Sequence, residues 1–76
     1  MIEKPIYVLK MDYVTDIDGK NEKDIYGLYQ HLCFSNEEAL KNYFTNIGWE
    51  FNKHMARKKE SDRIIYAYIS ELTLCE

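Results

Sequence analysis

His31 and Cys33 stand two positions apart, the spacing that puts two side chains on one face of a strand, and both residue types bind transition metals. A closed site needs further ligands at definable spacing, and none follows: the other histidine, His54, lies 23 residues on. His31 therefore reads as a half-buried histidine bonded to backbone, and Cys33 as a small core residue. The run Asp16-Ile17-Asp18-Gly19-Lys20-Asn21-Glu22 imitates a calcium loop. With Gly19 in the sixth position of an EF-hand loop, Val14 and Ile25 would have to supply ligands, and neither can. A solvated turn is the better reading.

Covalent and acid–base chemistry fare no better. No Ser/His/Asp grouping has a supporting motif. The three glycines, at 19, 27 and 48, stand alone rather than in a phosphate-binding loop. Glu37 and Glu38 are accounted for by the start of a helix. The chain reads as non-enzymatic, with no cofactor and no metal.

What remains is binding. Lys53, Arg57, Lys58 and Lys59 form a basic cluster, with Trp49 and Phe51 just upstream. An aromatic anchor rimmed by cations suits a protein partner. The same residues suit RNA or a single strand, with phosphates on the cations and bases on the rings. Seven tyrosines in 76 residues point the same way, because a tyrosine ring packs while its hydroxyl meets a wet surface. The net charge of −3 argues against a general DNA-coating protein and is too weak for a DNA mimic. The charge is uneven, since Asp12 to Asp24 carries five acids against two lysines.

A chain of this length makes a single domain, residues 1–76, with a thin stability margin. Two widely spaced cysteines are no disulfide framework, and no signal peptide or membrane-length apolar run is visible. A cytoplasmic location with reduced thiols and no membrane association is expected. Eight lysines against two arginines, with abundant Ile, Asn and Tyr, suggest an AT-rich bacterial or phage genome.

The elements that must position these residues are legible from periodicity. Alternation over Ile6–Val14 and Arg63–Leu74 predicts two strands, and Ile25–Phe34 a third between them. Ser35-Asn36-Glu37-Glu38 has the form of a capping box, with Ser35 as the cap. Ala39, Leu40, Tyr43, Phe44 and Ile47 then form one helical stripe, which Gly48 ends. The segment 49–60 fits either a short strand with a following turn or a second helix; the strand is preferred. The fold expected is α+β: a three- to four-stranded antiparallel sheet with one helix on one face, ordered β-β-α-β, or β-β-α-β-β if 49–57 is a strand. The first strand would lie between the second and the last.

One helix covers one face only. Tyr7, Leu9, Met11 and Tyr13 are expected to meet it. The reverse face would then show Ile6, Val8, Tyr29, Ile65, Ala67 and Ile69, too apolar at its centre for water. The 49–60 segment, a second copy of the chain or a different protein could cover it.

The runs Tyr7-Val8-Leu9, Gly27-Leu28-Tyr29 and Phe34-Ser35-Asn36-Glu37-Glu38-Ala39 resemble small uncharacterised β-β-α-β accessory proteins of bacteria and their phages, over about half the chain. The resemblance implies a fold and an accessory role, and transfers no functional residue. Together these readings describe a small phage or mobile-element protein that contacts and occludes a host protein. The alternative is a small protein that binds RNA or single strands through residues 49–59.

Overall fold

The two longest apolar alternations become two long strands, β1 (Glu3–Asp16) and β5 (Arg63–Cys75). They pair antiparallel throughout, from Glu3 opposite Cys75 to Asp16 opposite Arg63. Fourteen residues at ~3.3 Å each would span ~46 Å, and the longest dimension of the molecule is 47 Å. This computed structural model describes residues 3–75. Between the long strands come β2 (Lys23–Asp24), α1 (Glu37–Asn46), β3 (Glu50–Asn52) and β4 (Met55–Glu60). The sheet runs β2-β1-β5-β4-β3, every neighbouring pair antiparallel. The fold is α+β, as the patterning predicts, with five strands instead of three or four.

The helix starts one residue later than a Ser35 cap requires. Asn36 is the cap: its backbone is extended, and its Oδ1 accepts from the Ala39 N–H at 2.7 Å. Asn36 competes well for this role because its carbonyl reaches the third N–H of the helix as a serine hydroxyl does. With the first turn shifted, Glu37 and Glu38 still sit where the helix dipole favours acids. At the other end Gly48 adopts φ +108°, and the helix closes by a Schellman pattern. The Trp49 N–H donates to the Phe44 carbonyl at 3.0 Å, and the Gly48 N–H to that of Thr45 at 3.2 Å. A Cβ at Gly48 would also stand 3.2 Å from Lys58 Cε.

Residues 25–34 do not make the regular second strand that their composition predicts. They follow the free edge of β1 through separated bonds: Ile25 N–H to Asp12, Gly27 carbonyl to Met11, Tyr29 N–H to Leu9, and a reciprocal pair between Phe34 and Tyr7. At Gly27 φ is +97°, off the extended backbone of a regular strand, and the Leu32 N–H turns back to the Gln30 carbonyl at 2.8 Å. That tight turn carries His31 and Cys33 into solvent, correcting the expectation that they lie against the core.

Residues 49–60 form the β3–β4 hairpin, turned at Lys53-His54, and β4 pairs with β5. The hairpin widens the sheet instead of folding over its reverse face.

Directly paired residues share a face, so the register settles what meets the helix. Leu9 pairs with Ile69, Ala67 with Ala56, and Val14 with Ile65. With Leu40, Phe44 and Trp49 these form the core. Ile65, Ala67 and Ile69, expected on the reverse face, therefore lie under the helix. Tyr29 does too, meeting Trp49 edge-on at 4.9 Å and Phe44 at 6.1 Å. Ile6 and Val8 do face away from it, Val8 buried opposite Ser70. Between Met11 and Tyr13 the β1 register shifts by one residue, a bulge that moves Tyr13 off the helix face.

Candidate binding surface

The alternation of β3 and β4 splits the basic segment. Trp49 is 1 % exposed and packs edge-on against Tyr29 and Phe44. Its Nε1 is buried without a hydrogen-bond partner. Phe51 is partly buried against the same core. Lys58 points to the helix side. Its Nζ lies 3.0 Å from Glu60 Oε2 and 3.4 Å from the Tyr29 hydroxyl, and Glu60 Oε1 accepts from Arg63 at 3.3 Å. The Glu60 contact holds the Lys58 ammonium above its ordinary pKa, and the Lys58 contact holds the Glu60 carboxyl below its own. Lys53 sits in the hairpin turn with φ +58°. Only Arg57 and Lys59 of the six lie on the helix-free face. The segment is not one patch.

The acidic loop is also self-contained. Asp16 Oδ1 accepts from the Lys20 N–H at 2.9 Å and the Asp18 N–H at 3.2 Å, and Oδ2 accepts from Asn21 Nδ2 at 2.7 Å. These donors, Lys20 foremost, lower the Asp16 pKa. Among the described residues no group of three or more His, Cys, Asp or Glu is placed to hold a metal, and no helix is long and apolar enough to cross a membrane.

The helix-free face is where side chains converge. Cross-sheet pairing lays it out in rows. Asp24, Tyr13, Tyr66, Arg57 and Glu50 form one row; Lys10, Tyr68, Met55 and Asn52 form the next. Beyond them lie the pairs Thr15–Ile64 and Ile6–Leu72. Tyr13 and Tyr66 stack with centroids 4.4 Å apart and planes 13° apart. Burial, then the neighbouring Tyr66, pushes the Tyr13 phenol above its ordinary pKa. Arg57, opposite Tyr66 on β5, reaches Glu50 Oε2 through both Nε and Nη2 at 3.2 Å. A groove of about 420 Å³ opens here, lined by Tyr13, Tyr66, Met55, Arg57, Glu50 and Asn52, together with Phe51 and Ala56. Met55 is 48 % exposed at its wall.

Of these groove residues only Arg57 and Phe51 are in the patch expected from sequence. Of the others only Tyr66 carries a legible signal, since the bulge that brings Tyr13 here leaves no mark in composition. Ile65, Ala67 and Ile69 are small aliphatics that fit under a helix, whereas Tyr66 and Tyr68 carry the polar tips of a wet face. Comparison with protein-family models, with curated proteins and with solved structures gives no match to this chain.

Proposed function

We propose that the protein is a small non-enzymatic binding module that docks on a partner protein through its helix-free sheet face and acts by covering the partner's working surface. One observation carries this reading: the stacked Tyr13–Tyr66 pair, with Arg57 and Met55 beside it, lines an open groove on the sheet face opposite the helix. Tyrosine and arginine are the residues that most often dominate the energy of protein interfaces. The Tyr13–Tyr66 stack orders its two rings before binding, which lowers the entropy cost of association. A bacterial or phage setting, with a host protein as target, is the context that the composition and the resemblance suggest.

The test is affinity capture from a bacterial lysate with nuclease present, using the wild type and Tyr66→Ala, both checked for folding by circular dichroism. The reading expects a protein retained by the wild type and lost with Tyr66→Ala. Equal retention by both would sink it.

A second reading rests on Lys10, Arg57 and Lys59, which share this face with Tyr66 and Tyr68 and could hold a phosphate backbone. Trp49, being buried, takes no part in it. Binding to single-stranded oligonucleotides that weakens steeply with salt, and capture that nuclease abolishes, would favour this reading over a protein partner.

A further inference from the structure

The long strands outrun the rest of the fold. β4 pairs with β5 only from Arg63 to Tyr68, and the last bond on that side is the Ile69 N–H to the His54 carbonyl at 2.8 Å. Beyond it β5 runs on to Cys75 with β1 as its only strand partner among the described residues.

The two edges of this β1–β5 ribbon are not alike. Backbone groups alternate in direction along a strand. Because the Ile69 N–H points away from β1, so do the N–H and C=O groups of Glu71, Thr73 and Cys75. Among the described residues these meet no backbone partner. On β1 the groups of Tyr7, Leu9 and Met11 point to residues 27–34, so the next outward position toward the ribbon end is Pro5. Proline has no N–H, and a proline at an outward position is how an edge is closed to strand addition. One edge is blocked and the other is open.

We propose that the open edge of β5 pairs with the same edge of a second copy of this chain, antiparallel and two-fold symmetric about Thr73. The register follows from the residues. Thr73 would face Thr73 of the other copy, and Glu71 would face Cys75, so no like charges are opposed. Leu72 would face Leu74, and Leu74 would face Leu72. These leucines are 40 % and 42 % exposed and lie on one side of the ribbon. Centring the pairing on Leu72 instead would set one of them against Ser70. Cross-strand apolar pairs and a completed ladder are what an edge of this kind gains. The result is one continuous ten-stranded sheet that displays two Tyr13–Tyr66 grooves. This pairing does not rest on the docking reading above and uses a different surface.

Sedimentation equilibrium of the whole chain, read across concentration, tests it. The wild type is expected to pass from one chain to two with a Kd on the order of tens of micromolar, as befits a small interface. Thr73→Pro removes an outward N–H and leaves the inward groups of β5 in place, so β1 pairing is expected to survive, with native circular dichroism as the check. Its dimer should weaken at least tenfold. The double variant Leu72→Lys, Leu74→Lys sets like charges across the axis and should have the same effect without touching the backbone. Tyr66→Ala should dimerise as the wild type does. A wild type that stays monomeric, dimerisation unchanged in both edge variants, or dimerisation lost with Tyr66→Ala would each overturn the proposal.

Discussion

Tyr13 stacks on Tyr66 because a bulge at Asp12 turns β1 over: before it the odd-numbered residues face the helix, and after it Val14 does. The stack is thus a product of register. Its two rings should couple energetically by about 0.5–1.5 kcal/mol beyond their separate contributions. A double-mutant cycle of Tyr13→Ala and Tyr66→Ala, followed by urea unfolding, measures this. Additive losses would show that the rings merely lie side by side.

The helix start offers a clean contrast. Asn36→Ala removes the bond to the Ala39 N–H and should cost about 1 kcal/mol. That corresponds to roughly 4–8 °C in the melting temperature of so small a domain. Ser35→Ala should stay within about 0.5 kcal/mol, because Ser35 is exposed and holds no helix N–H. Equal effects at both positions would contradict Asn36 as the cap.

The same helix shows what could be read from residues alone. Its acidic first turn and the Gly48 stop follow from local chemistry and are found where expected; of its stripe Leu40 and Phe44 are buried, whereas Tyr43 and Ile47 stay exposed. So are the two long strands. The pairing of Leu9 with Ile69, which decides the faces, is not local. Alternation says that Ile65, Ala67 and Ile69 share a side, but not which side. A bulge at Asp12 leaves no mark in composition, so alternation alone puts Tyr13 on the side of Leu9. Gly27 signals a break in pairing, yet not that the whole 25–34 segment loses its regularity. The basic run 53–59 looked like a patch because neighbours in sequence are not neighbours on a strand: successive residues of β4 point to opposite faces.

Lys53 illustrates a cost that the hairpin accepts. Its φ of +58° lies in the left-handed region, which disfavours residues with a Cβ by roughly 1–2 kcal/mol. Among the described residues no side-chain hydrogen bond or ion pair holds it, so Lys53→Gly should leave the fold intact and leave stability unchanged or raised by up to about 1 kcal/mol. A substantial loss on thermal melting would mean that the lysine side chain itself supports the turn.

Acid should attack the molecule at two carboxylates. Asp16 is held below its ordinary pKa first by the Lys20 N–H, and Glu60 first by the Lys58 ammonium. For a carboxyl whose folded pKa is depressed, the unfolded state binds the proton more readily. The stability it contributes is therefore fully present above the unfolded value of roughly 4, and is lost as pH falls through the lower folded value. Lys58 has the opposite sign: its pKa is raised, so its contribution fades only as pH climbs past the ordinary lysine range.

Between about pH 5 and 9 neither effect operates, and urea midpoints should be flat with respect to these groups. Glu60 and Lys58 are the better-sheltered pair, with side chains 28 % and 19 % exposed, and they join β4 to Tyr29 of the edge segment. Glu60→Gln keeps the shape and the bond to Tyr29 while removing the titrating group. It should lower stability at neutral pH and flatten the acid limb of the pH profile, leaving only the Asp16 share. Asp16→Asn should flatten the other share, and in the double variant the two should add, because the groups hold separate partners. An acid limb unchanged in Glu60→Gln would place the acid sensitivity elsewhere.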